Sequence, residues 1–205
     1  LNENTILPDV SSAIANFELL MSDTITAHFV ATVPTYEVVF MVEPPLSGDI
    51  SLDGNVLAEN PFNATFTENT VISLEALAAE GYTFGYWETS NNTSLDPDAN
   101  SNNISFTVGA NDSISVFFEP ISYEITVTLP DASQGTISIN GETVTTSTYT
   151  FTVNYGEEIN LNALPIGGNV FGSWTIDGLD ILSGDLNSAG IVLVAAADGT
   201  ISLVF

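Results

Sequence analysis

The side chains able to do chemistry are few, and every formal charge among them at neutral pH is negative. In the run Asn91-Asn92-Thr93-Ser94-Leu95-Asp96-Pro97-Asp98-Ala99-Asn100, the residues Asp96, Asp98 and Asn100 put side-chain oxygens at alternate positions. A hard cation such as Ca²⁺ takes several oxygen ligands, and alternation along a loop supplies them. These three are therefore the candidate calcium ligands. Asp98 and Asn100 recur 87 residues later as Asp185 and Asn187, whereas Asp96 becomes Ser183, so a second site would be weaker. The run lacks the glycine and distal glutamate of an EF-hand loop. Trp87 and Trp174, with Phe84 and Phe171, could stack sugars. Large aromatics at one strand position in each of two copies are instead expected to fill the interior. Strand alternation would also send a Phe and a Trp three residues apart to opposite faces.

No catalytic set emerges. His28 is the single histidine, sits beside Phe29, and reads as a packing or edge residue. A Ser–His–Asp arrangement could form only around it, and no nucleophile-elbow motif is present. Glu157-Glu158 and Asp177 with Asp180 resemble paired carboxylates, but the first copy does not share them and acids are abundant enough to pair by chance. The sequons at Asn63, Asn92 and Asn103 follow from the Asn, Ser and Thr content. No enzymatic activity and no cofactor beyond calcium are expected.

The composition behind this is extreme. There is no lysine or arginine in 205 residues, against 26 Asp and Glu, for a net charge of −26. Salt bridges to basic side chains, arginine clamps on phosphate, lysine Schiff bases and lysine isopeptide bonds are all excluded, and trypsin-like proteases have no site. Phosphate binding rests on Lys and Arg, so nucleic acid and anionic membrane surfaces are poor partners. A 44% hydrophobic and 10% aromatic content separates the chain from a disordered acidic tail. Ser, Thr and Asn make up nearly a third of it, so most surface polarity is neutral. Cysteine is absent, which removes disulfides and thiolate sites. No apolar run reaches the ~18 residues of a membrane helix.

A gapless shift of 87 overlays residues 36–118 on 123–205 with identity at more than a quarter of positions. The matches include Gly48 with Gly135, Ile50-Ser51 with Ile137-Ser138, Gly54 with Gly141, Gly81 with Gly168, and Phe118 with Phe205. Self-similarity at a fixed period signals a repeat architecture. The expected organisation is the end of an upstream repeat at 1–29, a linker at 30–35, a module at 36–118, a linker at 119–122 and a module at 123–205. Asp23 to Phe29 resembles Asp112 to Phe118, which supports the partial copy and a piece of a longer tandem array. Short proline-bearing linkers predict a semi-rigid rod.

Short alternating and β-branched runs predict strands at 71–77, 82–88, 103–108, 113–118, 123–129, 136–139 and 148–153. Asp53-Gly54 and Asn140-Gly141 are two-residue hairpin signals, because a type I′ turn needs positive φ at both central positions. The expected fold class is all-β, β-grasp-like or small β-sandwich modules, with six or seven mostly antiparallel strands per copy and little or no helix. The pattern Gly81-Tyr82-Thr83-Phe84-Gly85-Tyr86-Trp87, repeated as Gly168-Asn169-Val170-Phe171-Gly172-Ser173-Trp174, resembles the divergent branch of the internalin-type B-repeat. The second copy lacks the aromatic after its first glycine. The resemblance implies compact modules strung as stalks or adhesive arms in large bacterial surface proteins, and it brings no catalytic residues.

The function expected is therefore a structural or adhesive segment of an extracellular bacterial surface protein or filament. Its partners would be neighbouring repeats of the same chain, with surface glycans or proteins as further targets, and no nucleic acid or membrane insertion. The alternatives are a carbohydrate- or calcium-binding module, a filament subunit assembling by strand addition, and an accessory domain of a secreted hydrolase. Carboxylate self-repulsion is screened within ~8 Å at physiological ionic strength. Thermal stability should accordingly rise from fresh water to brine, and superimposable melting curves would contradict this.

Overall fold

A computed structural model describes residues 32–129 and 131–205; His28 and the partial upstream repeat at 1–29 lie outside them. Pro34–Phe205 form one unit, within which two separate apolar cores are found. All regular structure among the described residues is β.

The first core draws on β1 (Thr35–Glu43), β2 (Gly48–Leu52), β3 (Asn55–Val56), β4 (Phe62–Thr67), β5 (Val71–Ala78), β6 (Tyr82–Thr89), β7 (Asn103–Thr107) and β8 (Asp112–Pro120). These form two four-stranded sheets, ordered β4-β1-β8-β6 and β3-β2-β5-β7. Alternation decides which side chains face inward. Val38, Phe40 and Val42 of β1 and Ile114, Val116 and Phe118 of β8 meet Ile72, Leu74 and Ala76 of β5 and Ile104 and Phe106 of β7. Each buried aliphatic side chain contributes about 1.5–3 kcal/mol through removal from water. Eight strands form where six or seven were expected, because β3 is a two-residue extension too short to carry a periodic signal.

The second core uses β9 (Ser122–Thr128), β10 (Gly135–Ile139), β11 (Glu142–Val144), β12 (Thr148–Asn154), β13 (Glu158–Pro165), β14 (Ser173–Ser183) and β15 (Gly190–Val204). The 15-residue β15 takes the place of β7 and β8 together. Its first half pairs with β13 and its last residues pair with β9, which joins the strands into one seven-stranded sheet. β14 follows β15 on its other side, with register shifts between Asp177 and Leu179 and between Ile181 and Ser183. At the first shift, Gly178 takes φ +77° and a Cβ there would collide with the Asp198 carbonyl.

Most strand pairs are antiparallel, with one parallel pair in each repeat. β1 lies parallel to β8, and β9 parallel to β15. Both predicted hairpin turns form. Asp53 and Gly54 have φ of 48° and 84°, and Asn140 and Gly141 have 50° and 89°. Each turn is tied to the neighbouring strand by its own side chain: Ser73 N–H donates to Asp53 Oδ1 at 2.9 Å, and Asn160 N–H to Asn140 Oδ1 at 2.8 Å.

The matched glycines and closing phenylalanines of the two copies have a shared steric cause. A Cβ on Gly48 would stand 2.5 Å from the Leu77 carbonyl oxygen and 2.6 Å from the Phe118 ring; one on Gly135 would collide with the Phe205 ring. The last aromatic of each repeat lies over the glycine that opens the second strand. Overpacking of this kind costs about 1–3 kcal/mol. Gly48→Ala and Gly135→Ala should each lower unfolding free energy in denaturant by that amount, whereas Gly54→Ala, which meets no neighbour, should cost only its positive-φ strain.

Candidate functional site

The two tryptophans are interior groups. Trp87 and Trp174 are each 2% exposed, which removes them as a sugar platform. Strand parity fails for their phenylalanine partners. The pairing of β6 with β8 slips between Phe84 and Tyr86, so Phe84 turns to the same side as Trp87, with ring centroids 6.3 Å apart. Phe171 precedes β14 and reaches Trp174 at 5.3 Å. The expectation that Phe and Trp face opposite ways is thus corrected by a bulge at Gly85, where a Cβ would stand 2.9 Å from the Phe117 carbonyl oxygen.

Each indole is held by the loop that the candidate calcium ligands occupy. Trp87 Nε1 donates to the Ser101 carbonyl at 3.0 Å and Trp87 N–H to the Ala99 carbonyl at 2.8 Å. Trp174 repeats this with Ser188 and Leu186, both at 2.8 Å. The loop is shaped by its aspartate. Asp98 Oδ1 accepts from Asn100 N–H and Asp185 Oδ1 from Asn187 N–H, each at 2.8 Å. Its far end is tied to the core sheet, where Ala76 N–H donates to the Asn102 carbonyl and Ala163 N–H to the Ala189 carbonyl. The recurrence of Asp98 and Asn100 as Asp185 and Asn187 is explained by this turn.

Asp96 is in different surroundings. Its backbone N–H and C=O both pair with Ser105, and it borders a shallow depression with Glu75 on the outer sheet face. Asp98 and Asn100 do not border that depression. Among the described residues, no three Asp, Glu, His or Cys side chains group in a way that could hold a metal ion.

Two features go beyond the roles read from the sequence. Asp112, 6% exposed, accepts from Ser90 Oγ at 2.7 Å, Asn91 N–H at 2.9 Å, Ser113 N–H at 2.8 Å, and Thr93 Oγ1. A buried carboxylate without a cation requires such a set of donors, and this one pins the 90–93 segment of the first repeat. Its counterpart by the 87-residue shift is Gly199, and β14 replaces the pinned segment in the second repeat.

The other feature lies where the repeats meet. Residues 119–122 were expected as a linker, but Glu119 and Pro120 extend β8 and Ser122 opens β9, leaving only Ile121 between strands. Ile121 N–H donates to the Gly81 carbonyl and its own carbonyl accepts from Tyr155 N–H, both at 2.8 Å. The Tyr155 ring lies on Gly81, where a Cβ would stand 2.6 Å from Cδ1. Its hydroxyl donates to Glu80 Oε1. That bond, followed by partial desolvation and the Glu80 charge, raises the Tyr155 pKa above the ordinary 10.0.

A β module built twice along one chain, each copy closed by a buried tryptophan under its own loop, defines a tandem β-repeat protein. The sequence matches the Divergent InlB B-repeat domain over residues 53–122 and 125–205, and the chain belongs to that family. No curated protein matches it. Among solved structures it is similar to the Bacillus anthracis TIE protein, at 12% identity and TM-score 0.40, covering 84% of this chain and 34% of that one. It is also similar to a mutant form of the major pilin from Streptococcus pyogenes, at 10% identity and TM-score 0.29, covering 82% of this chain and 96% of that one. This chain thus spans about a third of the length of the TIE protein.

Truncating a buried tryptophan costs about 3–5 kcal/mol. Trp87→Ala and Trp174→Ala should each lose that much in denaturant titrations. Asp98→Ala should lose about 0.5–1.5 kcal/mol, the worth of one hydrogen bond, with the same loss in calcium and in chelator.

Proposed function

We propose that this chain is a tension-carrying and spacing segment of a large extracellular bacterial surface protein, in which repeats hold adhesive contacts away from the cell. Family membership supports the placement. The observation that carries the spacing role is the joint at Ile121. A single residue between strands, two backbone hydrogen bonds and a ring seated on glycine restrict swing between repeats far more than a flexible linker would. No catalytic role is assigned. Surface charge without lysine or arginine suits a protein that meets trypsin-like proteases and salt. Weak contacts repeated along such an array add through avidity.

The chain has no cysteine, so two introduced thiols can be spin-labelled without background. With labels at Asn55→Cys and Asn169→Cys, the wild-type distance distribution should be narrow. Adding Gly81→Val, whose side chain cannot coexist with the Tyr155 ring, should broaden it severalfold. Equal widths would refute a stiff joint. Antibody labelling of intact cells tests the placement separately, and label confined to the cytoplasm would refute it.

The tyrosine–carboxylate bond gives the joint a defined alkaline limit. A phenol whose pKa is higher in the folded state contributes while protonated, and its contribution is lost as pH rises through the raised value. Absorbance titration should show a tyrosine transition above 10.0. Tyr155→Phe should remove that transition and Glu80→Gln should bring it forward.

A further inference from the structure

A cleft of about 480 Å³ opens in the first repeat between the end of β1, the 44–48 turn and the 57–60 segment. Its floor is apolar, made by Phe40, Val42, Ile50 and Leu57, and two carboxylates, Asp49 and Glu59, border it. A volume in this range with an apolar lining and a few polar groups is typical of binding sites.

The polar groups are one-sided. Asn60 also borders the cleft, but its amide is engaged at both atoms: Oδ1 accepts from Val42 N–H at 3.0 Å and Nδ2 donates to the Val42 carbonyl at 2.9 Å. Two nearby backbone donors are used internally, Leu57 N–H on Ile50 and Ala79 N–H on Ser47. The charged groups at the border are therefore anionic acceptors, and they select a cationic donor carried on an apolar body. Leu46 also borders the cleft. It holds φ +71°, a left-handed conformation that costs a branched residue free energy, and its side chain is 92% exposed. Strain of this sort concentrates at ligand clamps.

The second repeat supplies an internal comparison. The 87-residue shift places Thr136 and Thr146 where the first repeat has Asp49 and Glu59, and Ser133 where it has Leu46. Acid and exposed leucine are thus properties of this cleft and not of the fold.

We propose that the cleft docks an extended segment of another protein, seating an aliphatic side chain on the floor beside a lysine or arginine that pairs with Asp49 and Glu59. A second copy of the chain cannot be the occupant. It has no lysine or arginine to offer and would bring a further net charge of −26 against the same sign.

The test is an NMR titration of the full chain with the capped peptide Leu-Lys-Leu-Lys, its Leu-Glu-Leu-Glu counterpart, and spermidine. The basic peptide should shift Ile50 and Leu57 saturably while leaving their equivalents, Ile137 and Val144, in place. Asp49→Asn with Glu59→Gln should weaken it at least tenfold, and Leu46→Ser should weaken it measurably with the fold unchanged by circular dichroism. The acidic peptide should not bind. Shifts spread over both repeats without saturation would overturn the proposal by showing diffuse attraction to an acidic surface. Spermidine binding as tightly as the peptide would overturn it in favour of a polyamine site.

Discussion

Carboxylates in this protein have no lysine or arginine to pair with, so their charge must be met by N–H and O–H groups or by water. Where the fold uses an acid, it therefore aims backbone donors at it. Asp53 takes Ser73 N–H, Asp98 takes Asn100 N–H, Asp185 takes Asn187 N–H and Asp198 takes Glu124 N–H. Asp131 follows the rule on an exposed turn, where the Ser133 hydroxyl and then its backbone N–H hold the carboxyl below its ordinary pKa. The interior limit is Asp112, which gathers four donors. Each such bond fixes a turn or strand end, so the missing cations help account for the tight loops.

The two repeats share what this constraint and the core demand, and differ elsewhere. Common to both are the glycine under the closing phenylalanine, the aspartate-shaped loop over the indole and the hairpin turns. Besides the buried Asp112, which is Gly199 in the second copy, the repeats differ on faces and rims. Thr136 and Thr146 replace the acids of the first repeat's cleft, and Tyr155 takes the place of Glu68. One scaffold thus carries different surfaces in successive copies.

Much of this was legible in the residues themselves. β5, β6 and β8 fall within two residues of the alternating runs that predicted them, and Asp53-Gly54 and Asn140-Gly141 turn as their types require. Period matching found the Asp98 and Asn100 pair but not the turn that Asp98 closes, because an oxygen that closes a turn and one that binds a cation look alike in sequence. The Phe84 error came from applying period two across Gly85, where a close backbone approach shifts the register. Tyr155 left no trace because it has no counterpart in the other copy, and a self-comparison sees only what recurs. Asp112 does recur as Asp23, but recurrence of an acid does not tell that it gathers donors in the interior. The fusion of two strands into β15 was equally hidden, since continuity of a strand depends on which neighbours accept it.

The parallel pairing of each repeat's first and last strands has a mechanical meaning. In a chain pulled from both ends, tension enters along β1 and leaves along β8, which run side by side in the same direction. The opposed forces slide one strand lengthwise against the other, so the rungs from Val38 with Asp112 to Glu43 with Phe117 are strained together and cannot be unzipped singly. The same clamp in the second repeat is shorter, from Ile125 with Gly199 to Thr128 with Ser202. Under stretching, that shorter clamp has fewer rungs to share the force.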